Sequence, residues 1–442
     1  MSEVTQVLEE WKERGIRWVR FELPDVHGIS RSKTVPTEHA ARYAERGLNM
    51  YGGAAVLDTA DSVVSGTLYN EEVAYRDQLL FPDPSTAAVV PWVEQTGRFI
   101  CDARWHDGTP LEATPRQVFR RALEKARSMG YEPVMGSEFE FYLLDGATKE
   151  PLFSDFHIFN TIRNDWVPTI HRILAELPEM GVSIITANCE YAASQWEINF
   201  APGRGLDGPD KAFTFKNGVK EIARQDGLIA TFMTKPFAGA SGSGCHTHMS
   251  LVRVEDGTNA FGDEQDPVGI SDVCRYFIGG LMRYARVIDA LLLPTLNCFK
   301  RRRTHTFSPT NISWGLEDRS AMVRVKGHGP LESRHIELRS PTALANPYLV
   351  GAAMLQAGLK GIEEKLDPGR PSGPGVAEED PSFEKLPTSL LESLEALETD
   401  PAGKEFFGEE FVTAYTTMRR YELSRFDDAV TDWERNEYLE VY

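Results

Sequence analysis

Apolar and polar residues alternate through residues 16–23 (IRWVRFEL), the period of a half-buried strand, and Pro24-Asp25-Val26-His27-Gly28 follows with turn chemistry, so a hairpin is expected. The stretch before it, MSEVTQVLEEWKERG, has the pattern of a charged amphipathic helix. Residues 49–91 read as loop-rich, and Arg98-Phe99-Ile100-Cys101-Asp102 as another strand, ending near His106-Asp107-Gly108. These elements make a small strand-rich domain over 1–108. At Pro115 the period changes: RQVFRRALEKARSMG is a helix with Pro at its first turn and Gly130 at its end. A larger α+β domain over 109–442 is expected, with short strands, helices over about 213–229, 271–292 and 346–365, a Pro/Gly/acid-rich surface loop over 367–387, and charged helices after it. The fold class is α+β, without internal repeats.

With 41% hydrophobic and 26% charged residues among 442, the chain has the composition of a globular enzyme. Its formal net charge of -19 argues against nucleic acid or an anionic membrane as partner, and the basic run Lys300-Arg301-Arg302-Arg303 is too short to reverse that. The five cysteines are scattered without a CxxC pair, which suggests neither a disulfide framework nor a thiolate zinc site and fits a reducing compartment. No signal-like start is present and no run approaches the roughly 18 apolar residues of a membrane span. A cytoplasmic protein with no membrane partner is expected.

Candidate chemistry sits in residues two apart. In the strand Ser137-Glu138-Phe139-Glu140-Phe141-Tyr142-Leu143-Leu144, Glu138 and Glu140 share one face and the apolar residues the other. Paired carboxylates at close range repel unless a cation lies between them, although a solvent-facing strand explains one such pair equally well. The spacing recurs at His246 and His248, and at His335, Glu337 and Arg339, and recurrence points to a shared polar cavity. Glu190 and Glu197 stand seven apart, so both reach one cavity only if Ala192-Ala193-Ser194 forms a bulge or loop. Ligands that are mostly carboxylates with few imidazoles imply a hard ion, Mg²⁺ or Mn²⁺.

The segment Lys235-Pro236-Phe237-Ala238-Gly239-Ala240-Ser241-Gly242-Ser243-Gly244 runs into the His246 strand and lets backbone approach a ligand closely; it matches neither a Walker A loop nor GxGxxG. Downstream, Arg301, Arg319, Arg324, Arg334 and Arg339 either balance an acidic surface or face inward, where they need anions such as a nucleotide triphosphate and a carboxylate.

In order, GSEFEFYLL, NCEYAASQWEINF, KPFAGASGSGCHTHMSL, NCFKRRRTHTFSPTNISWGLEDRSAMVRV and ESRHIELRSPTALANPYLVGAAMLQAGLKGI resemble the signatures of the glutamine synthetase family. RFELPDVHGISRSKTVP and PLEATPRQVFRRAL are similar to its N-terminal strand pair and domain junction, so the resemblance covers about residues 16–365. It implies a β-grasp-like N-terminal domain and a catalytic domain with a curved antiparallel sheet flanked by helices. It also implies an ATP-dependent ligase that activates the glutamate γ-carboxylate as an acyl phosphate and passes it to an amine. Two or more Mg²⁺ or Mn²⁺ ions per site are implied, one held by Glu140, Glu190 and Glu197 and another by Glu138, His246 and Glu337. Arg301 and Arg339, with Ser241 and Gly242, are implied for glutamate, Arg319 and Arg324 for the ATP phosphates, and His248 and Ser250 for the nucleotide. Asp25 matches the aspartate that reaches a neighbouring subunit's site and helps deprotonate the amine; Arg319 is the candidate for stabilising the oxyanion, and Glu190 joins them as a catalytic carboxylate. Assembly as a homo-dodecamer of two hexameric rings, with active sites between subunits, is implied.

Three positions depart from the family. Six residues past Arg301, where ammonia-using members carry a flap glutamate, stands Phe307; Cys189 replaces a histidine before Glu190, and Ser241 an asparagine. The family's ammonium-site tyrosine falls nearest Phe156 or His157. An apolar ring in place of an anion weakens the grip on a small cation and offers packing surface to a carbon-bearing amine. An organic amine is therefore expected as second substrate, giving a γ-glutamyl amide. An ammonia-using glutamine synthetase is the alternative, and a catalytically silent sensor or scaffold the second.

Overall fold

The structure is a computed structural model that describes residues 2–154, 158–165, 167–373 and 375–442. The N-terminal helix spans Glu3–Glu13, capped by Ser2, whose side chain accepts from the Thr5 amide. The expected hairpin follows: β1 (Trp18–Pro24) buries Val19, Phe21 and Leu23 and pairs antiparallel with β2 (Ser30–Pro36). β3 (Leu48–Tyr51), β4 (Asp77–Pro82), β5 (Ala88–Val89) and β6 (Thr96–Arg104) complete the first sheet, in the order β2-β1-β6-β4-β3 with β5 also on β6. β1 and β6 run parallel at its centre and the other pairs are antiparallel. β3, β4 and β5 fall in the stretch read as loop. They are short, two to six residues each, so their period-2 pattern has too few residues to stand out.

The second sheet is built on β7 (Tyr131–Asp145). β8 (Ile184–Cys189), β9 (Gln195–Phe200), β10 (Gly203–Arg204), β11 (Leu228–Thr231), β12 (Cys245–Arg253), β13 (Trp314–Leu316), β14 (Val323–Lys326) and β15 (His335–Leu338) join it in the order β13-β14-β15-β12-β7-β9-β8, with β10 and β11 also on β7. Only β13 and β14 pair in parallel. The helix expected over 213–229 spans Asp207–Gln225, because the apolar tail after Gly227 becomes β11. The helix expected over 271–292 is two, Asp272–Arg283 and Ala285–Leu292, broken at Tyr284, and the Ala-rich helix spans Pro347–Glu364 behind the Asn346 cap.

Phe21 and Phe99 of the first sheet lie in one contiguous apolar cluster with Phe119 and Leu355 of the helices behind the second. Phe139 and Phe141, on the back of β7, pack with Phe215 and Phe232 in a separate aromatic core. That core pins one face of β7 and leaves the other to polar chemistry.

Candidate active site

Strand register assembles the polar face. Glu138 of β7 stands opposite His246 of β12 on one side and Asn199 of β9 on the other; Glu140 stands opposite Glu197. On β15, Glu337 is opposite both His248 and Arg324. Every second residue of five neighbouring strands, β14 with Arg324 included, therefore points the same way, which is the geometry the two-residue spacings require. Glu190 arrives by a hairpin turn between β8 and β9, closed by its amide donating to Gln195 O at 2.8 Å and by Ser194 at φ 61. The loop demanded of Ala192-Ala193-Ser194 is this turn.

One cavity of about 1000 Å³ collects Glu138, Glu140, Glu190, Glu197, Glu337, His246 and His248, with Ser241, Gly242, Arg301, Arg319, Arg324, Arg339 and Phe307. The glycine segment lines the cavity and also makes room for a side chain. A Cβ on Gly242 would lie 2.8 Å from Arg301 Cγ and one on Gly244 would overlap the guanidinium, so the bare backbone makes room for Arg301, which is buried with Nη1 unpartnered. The flap over 302–310 is tied down by the His305 amide donating to Glu378 at 2.8 Å and by Arg339 Nη2 donating to Phe307 O at 3.5 Å.

His248 Nε2 lies 3.1 Å from Glu138, and His246 Nδ1 3.6 Å from Glu138 and 3.8 Å from Glu337. Burial works to raise the Glu138 carboxyl, but the two imidazoles outweigh it and hold it far below the ordinary range. Glu337 is likewise lowered to about 2, its burial outweighed by His246, Arg339 and His248. Glu197 is pushed up to about 8 by burial and by Glu138, Glu140 and Glu190, and Glu190 to about 7 by burial and Glu140. Carboxylates that crowd one another upward, beside an imidazole nitrogen (His246 Nε2) buried without a hydrogen-bond partner, fit a divalent cation. Among the described residues the tight donor sets are Glu138, His248 and Glu337, and Glu138, Glu197 and His246. Glu140 is partly spent elsewhere, accepting from the Gly244 amide at 2.9 Å.

Two expected site residues stand apart. Ser250 lines a second cavity of about 530 Å³ that shares Glu138, Asn199, His248 and His335 with the first and has apolar walls at Val134, Phe200 and Met249. Asp25 is 1% exposed at the β1–β2 turn and accepts from Arg31 Nε at 2.8 Å and from the His27 and Ile29 amides at 2.9 Å. A carboxylate so enclosed is a turn-forming group, and the expectation that it reaches a neighbouring site does not fit this geometry. Arg334 also leaves the cluster, donating to the Gly269 and Gly329 carbonyls. Phe156 and His157 lie outside the described residues. Tyr191, Phe159, Lys235 and Asn199 line the first cavity without having been singled out. For Asn199 the signal was present, since it stands two residues past Glu197.

Residues 112–438 match the family described as glutamine synthetase, catalytic domain. The chain belongs to the glutamine synthetase family. It is 34% identical to a glutamine synthetase of Thermotoga maritima over 97% of both chains, and 32% identical to a glutamate–isopropylamine ligase of a Pseudomonas species over 100% of this chain and 98% of that one. It is 35% identical to a gamma-glutamylethanolamide synthetase of Streptomyces coelicolor over 93% of this chain and 90% of the relative. A solved complex of GmaS with ADP superposes with a TM-score of 0.87 at 30% identity, covering 98% of this chain and 99% of that one. The glutamine synthetase fold thus has its α+β architecture here, and no helix among the described residues is long and apolar enough to cross a membrane.

Proposed function

We propose that this chain is an ATP- and Mg²⁺- or Mn²⁺-dependent ligase that activates the γ-carboxylate of glutamate as γ-glutamyl phosphate and transfers it to an organic amine. Overall identity does not separate ammonia-using from amine-using relatives, since both stand between 32 and 35%. The observation that carries the reading is Phe307, placed on the flap over the acidic cavity and stacked on Tyr191. An apolar ring there disfavours ammonium and accommodates carbon.

Arg301 and Arg339, with the Gly242 backbone and Ser241, are assigned to glutamate; Arg319 and Arg324 to the phosphates; His248 and Ser250 to the nucleoside, for which the second cavity offers apolar walls. Glu138, Glu140, Glu190, Glu197, His246 and Glu337 are the residues to hold divalent ions, which when bound neutralise phosphoryl charge. Arg319 faces the oxyanion formed as the amine adds, and Glu190, beside Tyr191 in the same cavity, takes the proton in place of Asp25. Assembly into two stacked hexameric rings in the cytoplasm completes the proposal, and light scattering that returns a monomer under assay conditions would overturn the assembly. For the reaction, ADP release with glutamate and Mg²⁺ is compared across ammonium and a panel of amines. Ammonium as best substrate returns the chain to ordinary glutamine synthesis, and no ADP with any amine makes it a silent paralogue.

A further inference from the structure

Three large aromatic side chains line the first cavity while remaining exposed: Phe159 at 64%, Tyr191 at 49% and Phe307 at 56%. They come from three separate segments, the loop before the short helix Thr161–Asn164, the β8–β9 turn and the flap. Two of them sit in left-handed backbone, Phe159 at φ 58 and Phe307 at φ 55. Bulky residues rarely adopt that conformation, and it persists where surrounding bonds over-determine it. Those bonds are present: the Phe159 amide donates to Cys189 O at 3.2 Å, and Phe307 O accepts from Arg339. The Tyr191 and Phe307 rings stack with centroids 6.2 Å apart and planes 21° from parallel. Apart from the Tyr191–Phe307 stack the three rings are not packed into a core, which leaves their faces to what enters the cavity.

Ring faces attract an alkylammonium ion and pack against its carbon chain. The same cavity carries Lys235, so a second ammonium on the substrate would meet like charge there. We infer that Phe159, Tyr191 and Phe307 form the specificity pocket for the carbon chain of the amine, and that the second substrate is a primary monoamine with an apolar chain. This rests on the ligase reading above and adds Tyr191 and Phe159 as specificity-determining residues.

The test measures ADP release at saturating ATP, Mg²⁺ and glutamate with ammonium, a series of linear primary monoamines, a diamine and an arylalkylamine. Wild type is compared with Tyr191→Ala, Phe159→Ala and Tyr191→Phe, and thermal melting reports whether each variant is folded. The expected result is a kcat/KM that rises with chain length in wild type and falls about tenfold for the longer monoamines in each alanine variant, the scale of losing one ring contact. The KM for glutamate stays unchanged and Tyr191→Phe restores the preference. Alanine variants that leave the chain-length dependence intact, or that weaken glutamate and amine alike, overturn the pocket while leaving the amine-ligase reading standing. A diamine as best substrate overturns the monoamine assignment. Ammonium as best substrate of the wild type is read before any variant and overturns the ligase reading itself.

Discussion

Phe307 is the side chain on which the proposed choice of nitrogen turns, because it lines the cavity from the flap without contributing to the carboxylate face. Phe307→Glu restores an anion to the flap, and kcat/KM for ammonium relative to an alkylamine is expected to rise by about tenfold or more. Steady-state assays of the two nucleophiles read the ratio directly. Lys216 is a second informative residue: it is buried, donates to Leu344 O at 3.0 Å and Ala345 O at 2.9 Å, and lies near the Phe139 and Phe232 rings. Burial, and next Lys220, lower its pKa to about 7 from an ordinary value near 10.5. Between those values the unfolded chain holds the proton that the folded one lacks, so the Lys216 contribution to stability grows as pH rises from 7 and is lost as pH falls back through 7. The advantage of Lys216→Met over wild type is therefore expected to shrink steadily between pH 7 and 10, as read by paired thermal melts. Residues two apart were legible from sequence because strand geometry fixes which face they share. Tyr191 and Phe159 were not, because a ring in a turn has no period to betray it.

Among the elements, the glycine segment before β12 is read from sequence as a place of close approach, and the fold adds Arg301 as a partner of that approach. Gly242→Ala puts a methyl group against Arg301 Cγ and 3.0 Å from Thr234 O, so the guanidinium must shift. A glutamate KM raised at least about tenfold is expected, with a stability loss of about 1–3 kcal/mol from overpacking; initial-rate titrations and denaturant melts check the two parts. The β8–β9 hairpin was demanded by the odd separation of Glu190 and Glu197, whereas β3, β4 and β5 went unread because few residues per strand leave no usable alternation. The break at Tyr284 and the early start at Asp207 follow from packing that a helical period alone does not report.

Over the whole molecule, Arg116 links the parts: 1% exposed at the start of the helix Pro115–Ser128, it binds Asp83 and Asp102 of the first sheet's segment and, through two nitrogens, Asp210 of the helix Asp207–Gln225. A division at 108/109 is proposed, with the shared apolar cluster and this ion network joining the two parts. Arg116→Met leaves Asp83 and Asp210 without their cation while Asp102 keeps Arg120, and a loss of about 3–5 kcal/mol in urea unfolding is expected. Arg116→Lys should recover little, since an ammonium cannot reproduce the paired bonds to Asp210. What the sequence determined alone is the family, the α+β class and most of the side chains that face one cavity, Asp25, Ser250 and Arg334 excepted, because strand periodicity and a run of spaced motifs are local properties of the chain. Only the tertiary structure decided that Asp25 is enclosed by its own turn, that the glycines make room for Arg301, and that three rings from distant segments line one cavity beside the acidic face. Those facts depend on which backbones approach one another across the fold, and no spacing along the chain encodes that approach.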